Sequence, residues 1–284
     1  MDNNNIIHQA RYLMKSNWIQ ALQVLEEALK KDPKDIDILS ELADIYADKG
    51  SYKTALEYLQ KAIKFDPKNA TIRFKLANMY LELEQPALAL SHYDKIENIH
   101  PEALFNKALS YYYLHQLNDA IDTLKECVAS STKLENAYFF LIELLLMLER
   151  TEECYVYINE TKKNYGESPQ LSYFLASNYE KENKWLPAYN EYLKALPGYK
   201  DNPKLYRSIA VSAENIGQIE RAIYYLKEGI QVCRKDKKLV ILLVKIHLNN
   251  NLITCPEDLQ NMIKDFDKNT VQMILNYYYK MIKD

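Results

Sequence analysis

Catalysis in water draws on histidine, cysteine or carboxylate groups that converge on one point. A metal centre needs similar ligands at short spacing. This chain of 284 residues carries five histidines, His8, His92, His100, His115 and His247, spread along its length. No two lie four residues apart, and no H-E-x-x-H occurs. The four cysteines, Cys127, Cys154, Cys233 and Cys255, show no paired or metal-ligand spacing and read as reduced, mostly buried thiols. The five glycines are isolated, so no glycine-rich loop is present to cradle a phosphate. Adjacent carboxylates such as Glu26–Glu27 and Glu152–Glu153 fit solvated helix faces. The expectation is a non-enzymatic chain with no catalytic residues, no metal site and no cofactor.

The elements that carry these residues follow from composition and period. The chain is 48% hydrophobic and 26% charged, enough apolar matter to build a sizeable core. Its net charge of −3 argues against nucleic acid, whose phosphates call for clustered lysine and arginine. The opening MDNNNIIHQARYLMK lacks a basic stretch followed by an apolar one, so no secretory signal is expected and the protein reads as cytoplasmic. The most apolar run, Tyr138 to Leu148 in AYFFLIELLLML, breaks at Glu149 and Arg150. A membrane span needs roughly 20 apolar residues, so no membrane contact is expected. Glycine and proline are scarce, and segments such as IQALQVLEEALKK and KTALEYLQKAIKF place apolar residues at helical spacing. The fold class is all-α.

The helices repeat. A mostly small residue recurs at Ala21, Ala55, Ala89, Ala120, Cys154, Ala188 and Ala222, with separations of 34, 34, 31, 34, 34 and 34 residues. One further step of 34 reaches Pro256 in a degenerate eighth unit. Twelve before each of these anchors stand Gln9, Ala43, Ala77, Ala108, Ile142, Ala176, Ala210 and Val244; nine before stand Tyr12, Tyr46, Tyr80, Tyr111, Leu145, Tyr179, Ala213 and His247. Such a pattern describes two antiparallel helices per unit, with small residues allowing close approach and tyrosine filling the space between neighbouring pairs. Gly50 and Gly217, five before their anchors, sit where a left-handed residue closes the first helix. Pro33, Pro67 and Pro101, twelve after theirs, end or start helices. The short third spacing predicts one tight junction.

The unit Ile38 to Asn69, with Leu42, Ala43, Tyr46, Gly50, Tyr52, Ala55, Leu59, Ala62 and Pro67, resembles a tetratricopeptide repeat. The resemblance covers nearly the whole chain and implies a right-handed α-solenoid of seven repeats plus a degenerate eighth over residues 1–268. First helices would line a concave groove, and each unit would bury its face on the next. Residues 269–284 are expected to form a C-terminal solvating helix, with Val271, Ile274, Tyr278 and Met281 on one face after a Thr270 cap.

The same resemblance places groove residues 18, 15, 11, 8 and 7 before each anchor. The second repeat then offers acidic Asp37, Asp44 and Asp48. The middle repeats offer Phe74, Asn78, Phe105, Tyr112, Phe139, Leu146 and Tyr173, and the last ones basic Lys204, Arg207 and Lys245. A carboxylate clamp of the kind that holds chaperone C-termini is matched only in part: Asn78 and Asn106 stand at two of its places, but Phe74 replaces its lysine, and Asn136 and Phe140 stand where a basic pair belongs. Two readings of the aromatic strip stand. It is extra core, or it is an exposed surface that binds a partner. On the second reading the chain is a scaffold or adaptor that holds a peptide or amphipathic helix of a partner protein, oriented by opposite charges at its ends. The alternative is an assembly subunit that contacts partners by its convex face or its ends. Partner identity and oligomeric state are not legible.

Overall fold

The computed structural model describes residues 3–131, 133–233, 236–250, 252, 263 and 267–283. The chain divides into two compact units, Met1–Leu141 and Ile142–Asp284. Both are all-α stacks of helix pairs, and no strand occurs among the described residues.

In the first unit, α1 (Asn3–Met14) pairs with α2 (Trp18–Lys31), α3 (Ile36–Asp48) with α4 (Tyr52–Phe65), α5 (Ala70–Glu82) with α6 (Pro86–Tyr93), and α7 (Pro101–Tyr113) with α8 (Leu117–Ser130). Helix α9 (Glu135–Met147) runs through the division between units. The second unit continues with α10 (Thr151–Tyr165), the pair α11 (Pro169–Lys181) and α12 (Trp185–Ala195), the pair α13 (Pro203–Asn215) and α14 (Ile219–Val232), then α15 (Lys237–Asn249) and α16 (Lys268–Lys283). The chain is an all-α repeat solenoid.

The two helices of a pair start differently. First helices carry side-chain caps: Asp35 Oδ1 accepts from the Ile38 amide at 2.9 Å, Asn69 Oδ1 from Ile72 at 3.0 Å, and Ser168 Oγ from Leu171 at 3.2 Å. These bonds satisfy amides that the helix itself leaves unpaired. Of the second helices, only α2 has such a cap; α4, α6, α8, α10, α12 and α14 start directly from the turn. That turn repeats. From the second repeat on, the amide four before the anchor donates to the carbonyl nine before it, as in Ser51 to Tyr46 at 2.8 Å, Gln116 to Tyr111 at 2.9 Å and Gln218 to Ala213 at 2.8 Å; in the first repeat Asn17 donates to Leu13 instead. Closing a helix this way requires a left-handed residue between the partners. Gly50 and Gly217 adopt it, as expected, and so do Glu84, His115, Glu149 and Asn183, with φ between 55° and 59°. The same bond from Leu252 to His247, 2.8 Å, places the eighth unit in register with the others; its anchor Pro256 lies outside the described residues, as does Cys255.

Small residues give each core its contact surface. Ala21, Ala55, Ala89 and Ala120 in the first unit, and Cys154, Ala188 and Ala222 in the second, are all inaccessible to solvent. So are the alanines at 77, 108, 176 and 210, twelve before their anchors. Tyr46 touches two successive cores and stacks on Tyr58 at 5.6 Å. Its counterpart in the first repeat departs from the expectation: Tyr12 is 76% exposed. The three-residue deficit before Ala120 is absorbed in α6, which has 8 residues where α4 and α8 have 14, followed by a turn with Asn98 left-handed. Thr270 lies inside α16 rather than capping it, because the helix begins at Lys268. Ile274 and Tyr278 of α16 are buried against Val240, Val244 and Ile263; the side chains of Thr270 and Met281 are outside the described set.

Candidate interaction surfaces

Positions on the first helices that face one another across neighbouring repeats hold the candidate site residues. One position, fourteen before each anchor, sets the pattern: Glu41, Lys75, Asn106 and Phe140 in the first unit. Each engages the first helix before it. Arg11 Nε and Nη2 donate to the two oxygens of Glu41 at 2.8 and 2.7 Å. This is a planar two-point pairing of a guanidinium with a buried carboxylate. Lys75 Nζ donates to Ser40 Oγ and Asp44 Oδ2, both at 2.6 Å. Asn106 Nδ2 donates to Asn78 Oδ1 at 3.0 Å. Phe140 lies edge-on to Phe105 at 6.0 Å and to Tyr112 at 5.4 Å. The ladder therefore changes from ionic to amide to aromatic along the unit.

Asp37 is exposed, whereas Asp44 is half-buried and neutralised by Lys75. Burial raises the Asp44 carboxyl pKa, and the ammonium of Lys75 opposes that rise. Phe74 is half-buried against the core around Tyr93 and Ala103, with its ring 4.6 Å from His100. Asn78 also accepts from the hydroxyl of Tyr93 at 2.5 Å. Burial in turn pushes the Tyr93 hydroxyl pKa far upward, so it stays a donor. Phe105, Tyr112 and Phe139 are half-buried, while Tyr113 next to them is 55% exposed. Between the C-terminal ends of α5 and α7 lies an open concavity of about 770 Å³, lined by Asn78, Leu81, Glu82, Glu84, Asn106, Leu109 and Tyr113.

In the second unit Tyr173 packs on the core, 5.9 Å from Tyr192 and 5.3 Å from Tyr199. The Tyr192 hydroxyl donates to Glu180 and lies 3.3 Å from Ser177 Oγ, repeating the reach of Tyr93 into the first-helix face. A concavity of about 600 Å³ is lined by Glu143, Leu146, Met147, Tyr173, Ser177, Lys181 and Lys204, among others. Leu146 is half-buried and Met147 53% exposed. Leu148, just past the end of α9, is exposed. Lys204 and Lys245 are exposed and Arg207 half-buried; none has an ion-pair partner among the described residues.

Burial pushes the Cys127 thiol up to about 11 and the Cys154 thiol up to about 12, which makes both inert packing groups. Among the described residues no group of three or more histidine, cysteine or acidic side chains could hold a metal ion. No described helix is long and apolar enough to cross a membrane.

Residues 43–83 match the model of the TPR repeat, and residues 102–131 match a tetratricopeptide-repeat model. The chain is a tetratricopeptide-repeat protein. Its fold is similar to that of a tetratricopeptide repeat protein from Parabacteroides merdae, at 21% identity and TM-score 0.56, covering 86% of this chain and 98% of that one. It is also similar to the C-terminal part of a TPR repeat-containing protein from Cytophaga hutchinsonii, at 17% identity and TM-score 0.66, covering 81% and 97%. A third similar structure is PilF of Pseudomonas aeruginosa, at 18% identity and TM-score 0.59, covering 74% and 97%. At these identities the likeness concerns the fold alone. Comparison with curated proteins finds no match. The tetratricopeptide repeat is a protein–protein interaction module, and within it the position fourteen before the anchor carries groups that the groove rule left out. The signal for it was present: it sits one residue after a groove position, on the flank that meets the preceding repeat.

Proposed function

We propose that the chain is a non-enzymatic scaffold or adaptor whose first-helix faces hold a peptide or helical segment of a partner protein. The observation that carries this reading is the open concavity between α5 and α7, where half-exposed Leu81 and Leu109 and exposed Tyr113 border two unpaired carboxylates. A merely solvated face would present charge and no such recess, and exposed apolar surface of this kind marks interaction sites. The second unit offers its own recess beside Leu146, Met147 and unpaired Lys204. The chain is further proposed to work in the cytoplasm, in keeping with buried free thiols at Cys127 and Cys154.

A second reading, an assembly subunit that docks by its second helices or ends, draws on exposed Val156, Leu186 and Tyr224 and on Tyr12 in the first repeat. One comparison separates the two. Tyr113→Asp and Val156→Asp each alter one exposed side chain, on a first and a second helix respectively. Affinity capture followed by mass spectrometry is expected to lose partners with Tyr113→Asp and keep them with Val156→Asp. The opposite result would favour the assembly reading.

A further inference from the structure

We infer that the recess between the C-terminal ends of α5 and α7 selects a partner segment in which lysine or arginine adjoins an apolar side chain. This inference rests on the proposed peptide-binding role of the first-helix faces and adds the chemistry of the ligand. Across the first unit, the cations on these faces are spent within the protein. Arg11 is held by Glu41 and Lys75 by Asp44 and Ser40. The lining of the recess contains no cation, yet Glu82 and Glu84 are exposed there and have no ion-pair partner among the described residues. Two helix ends reinforce the sign. Helix α5 stops at Glu82 and α7 at Tyr113, so the partial negative charge of two C-termini falls on the same recess. A cation entering it meets two carboxylates and two helix C-termini, opposed by the N-terminus of the short helix α6 at Pro86.

The floor specifies more than charge. Asn78 Oδ1 already accepts two hydrogen bonds, from Tyr93 and from Asn106, which fixes both amides. That leaves the Asn78 Nδ2 group as a donor and Asn106 Oδ1 as an acceptor with no bond among the described residues. One donor and one acceptor side by side match the carbonyl and amide of an extended peptide. Leu81 and Leu109 then provide the surface for the apolar neighbour of the cation. Asp37, exposed farther toward the N-terminus, extends the acidic character and would attract a second basic residue. Such charge contacts set selectivity and association rate more than total affinity, and they weaken with salt.

The test uses a random twelve-residue peptide library displayed on phage and selected on the full chain. An enriched peptide is then measured by fluorescence anisotropy beside a copy whose lysines and arginines are replaced by glutamate. The expected outcome is enrichment of lysine or arginine next to leucine, phenylalanine or methionine. The charge-reversed copy should bind about tenfold more weakly, a difference of about 1.4 kcal/mol, and Glu82→Gln with Glu84→Gln should erase most of it. Both substitutions are at exposed positions and leave the helices intact. Enrichment of acidic peptides, or a basic preference that survives the double variant, would overturn the inference. If Tyr113→Asp still abolished binding in that case, the peptide-binding reading would stand without it. Displacement by spermidine at equal concentration would show a bare cation to be sufficient and would also overturn it. Failure to enrich any sequence would overturn both.

Discussion

The left-handed residue that closes the first helices of the second to seventh repeats makes a quantitative prediction with an unambiguous sign. At Gly50 φ is 71°, and a Cβ built there meets nothing within 4 Å. Gly50→Ala therefore tests backbone conformation without a steric clash. An L side chain in this region costs about 1–2 kcal/mol, while the loss of freedom in the unfolded chain returns about 0.4–1 kcal/mol. The net expectation is a loss of about 1 kcal/mol. His115 occupies the same place in the fourth repeat with φ 59° and an exposed side chain, so His115→Gly should gain about 0.5–1 kcal/mol by the reverse accounting. Urea unfolding followed by far-ultraviolet circular dichroism measures both. With a slope of about 3 kcal/mol per molar, each change moves the midpoint by about 0.3 M, in opposite directions. If the turn were not left-handed, Gly50→Ala would stabilise the chain. A midpoint that rises with Gly50→Ala refutes the reasoning.

Other perturbations follow from named contacts. Asn78→Ala leaves the buried Tyr93 hydroxyl without its acceptor and should cost about 1–3 kcal/mol, whereas Tyr93→Phe should cost about 0.5–1.5 kcal/mol; a double-mutant cycle in urea reads the coupling between them. Gly229→Ala would set a Cβ 2.7 Å from the ring of buried Tyr206, and overpacking of this kind should cost about 1–3 kcal/mol in the same assay. His92 stacks on Tyr80 with its Nδ1 buried and without a partner, and its pKa is lowered by burial and by Arg73 and Lys95. The unfolded chain then takes up the proton more readily, so stability falls as pH drops through about 6.5 and levels off below the folded-state value. His92→Tyr, which copies the stacked Tyr58 of the second repeat, should remove that part of the pH dependence in thermal melts between neutral and mildly acidic pH.

Period and fold were legible because they depend on residues whose size alone matters. An alanine such as Ala55 or Ala77 at a fully buried helix crossing announces close approach whatever surrounds it. The helix-closing turn was legible only at Gly50 and Gly217, since Glu84, His115, Glu149 and Asn183 pay the same conformational cost without showing it in their identity. The pairings on the first-helix faces were hidden for another reason. Arg11 with Glu41, Lys75 with Asp44, and Phe140 with Phe105 and Tyr112 depend on how one repeat is set against the next, which a within-repeat rule does not encode. The shortening of α6 was visible as a spacing of 31, but not that it would remove helix rather than loop.

Hydrogen–deuterium exchange of the full chain, with and without a partner or selected peptide, tests the central claim most directly. Binding to the first-helix faces predicts added protection in α5 and α7, residues Ala70–Glu82 and Pro101–Tyr113, with α6 and α8 unchanged. Protection confined to second helices or to the chain ends would contradict it.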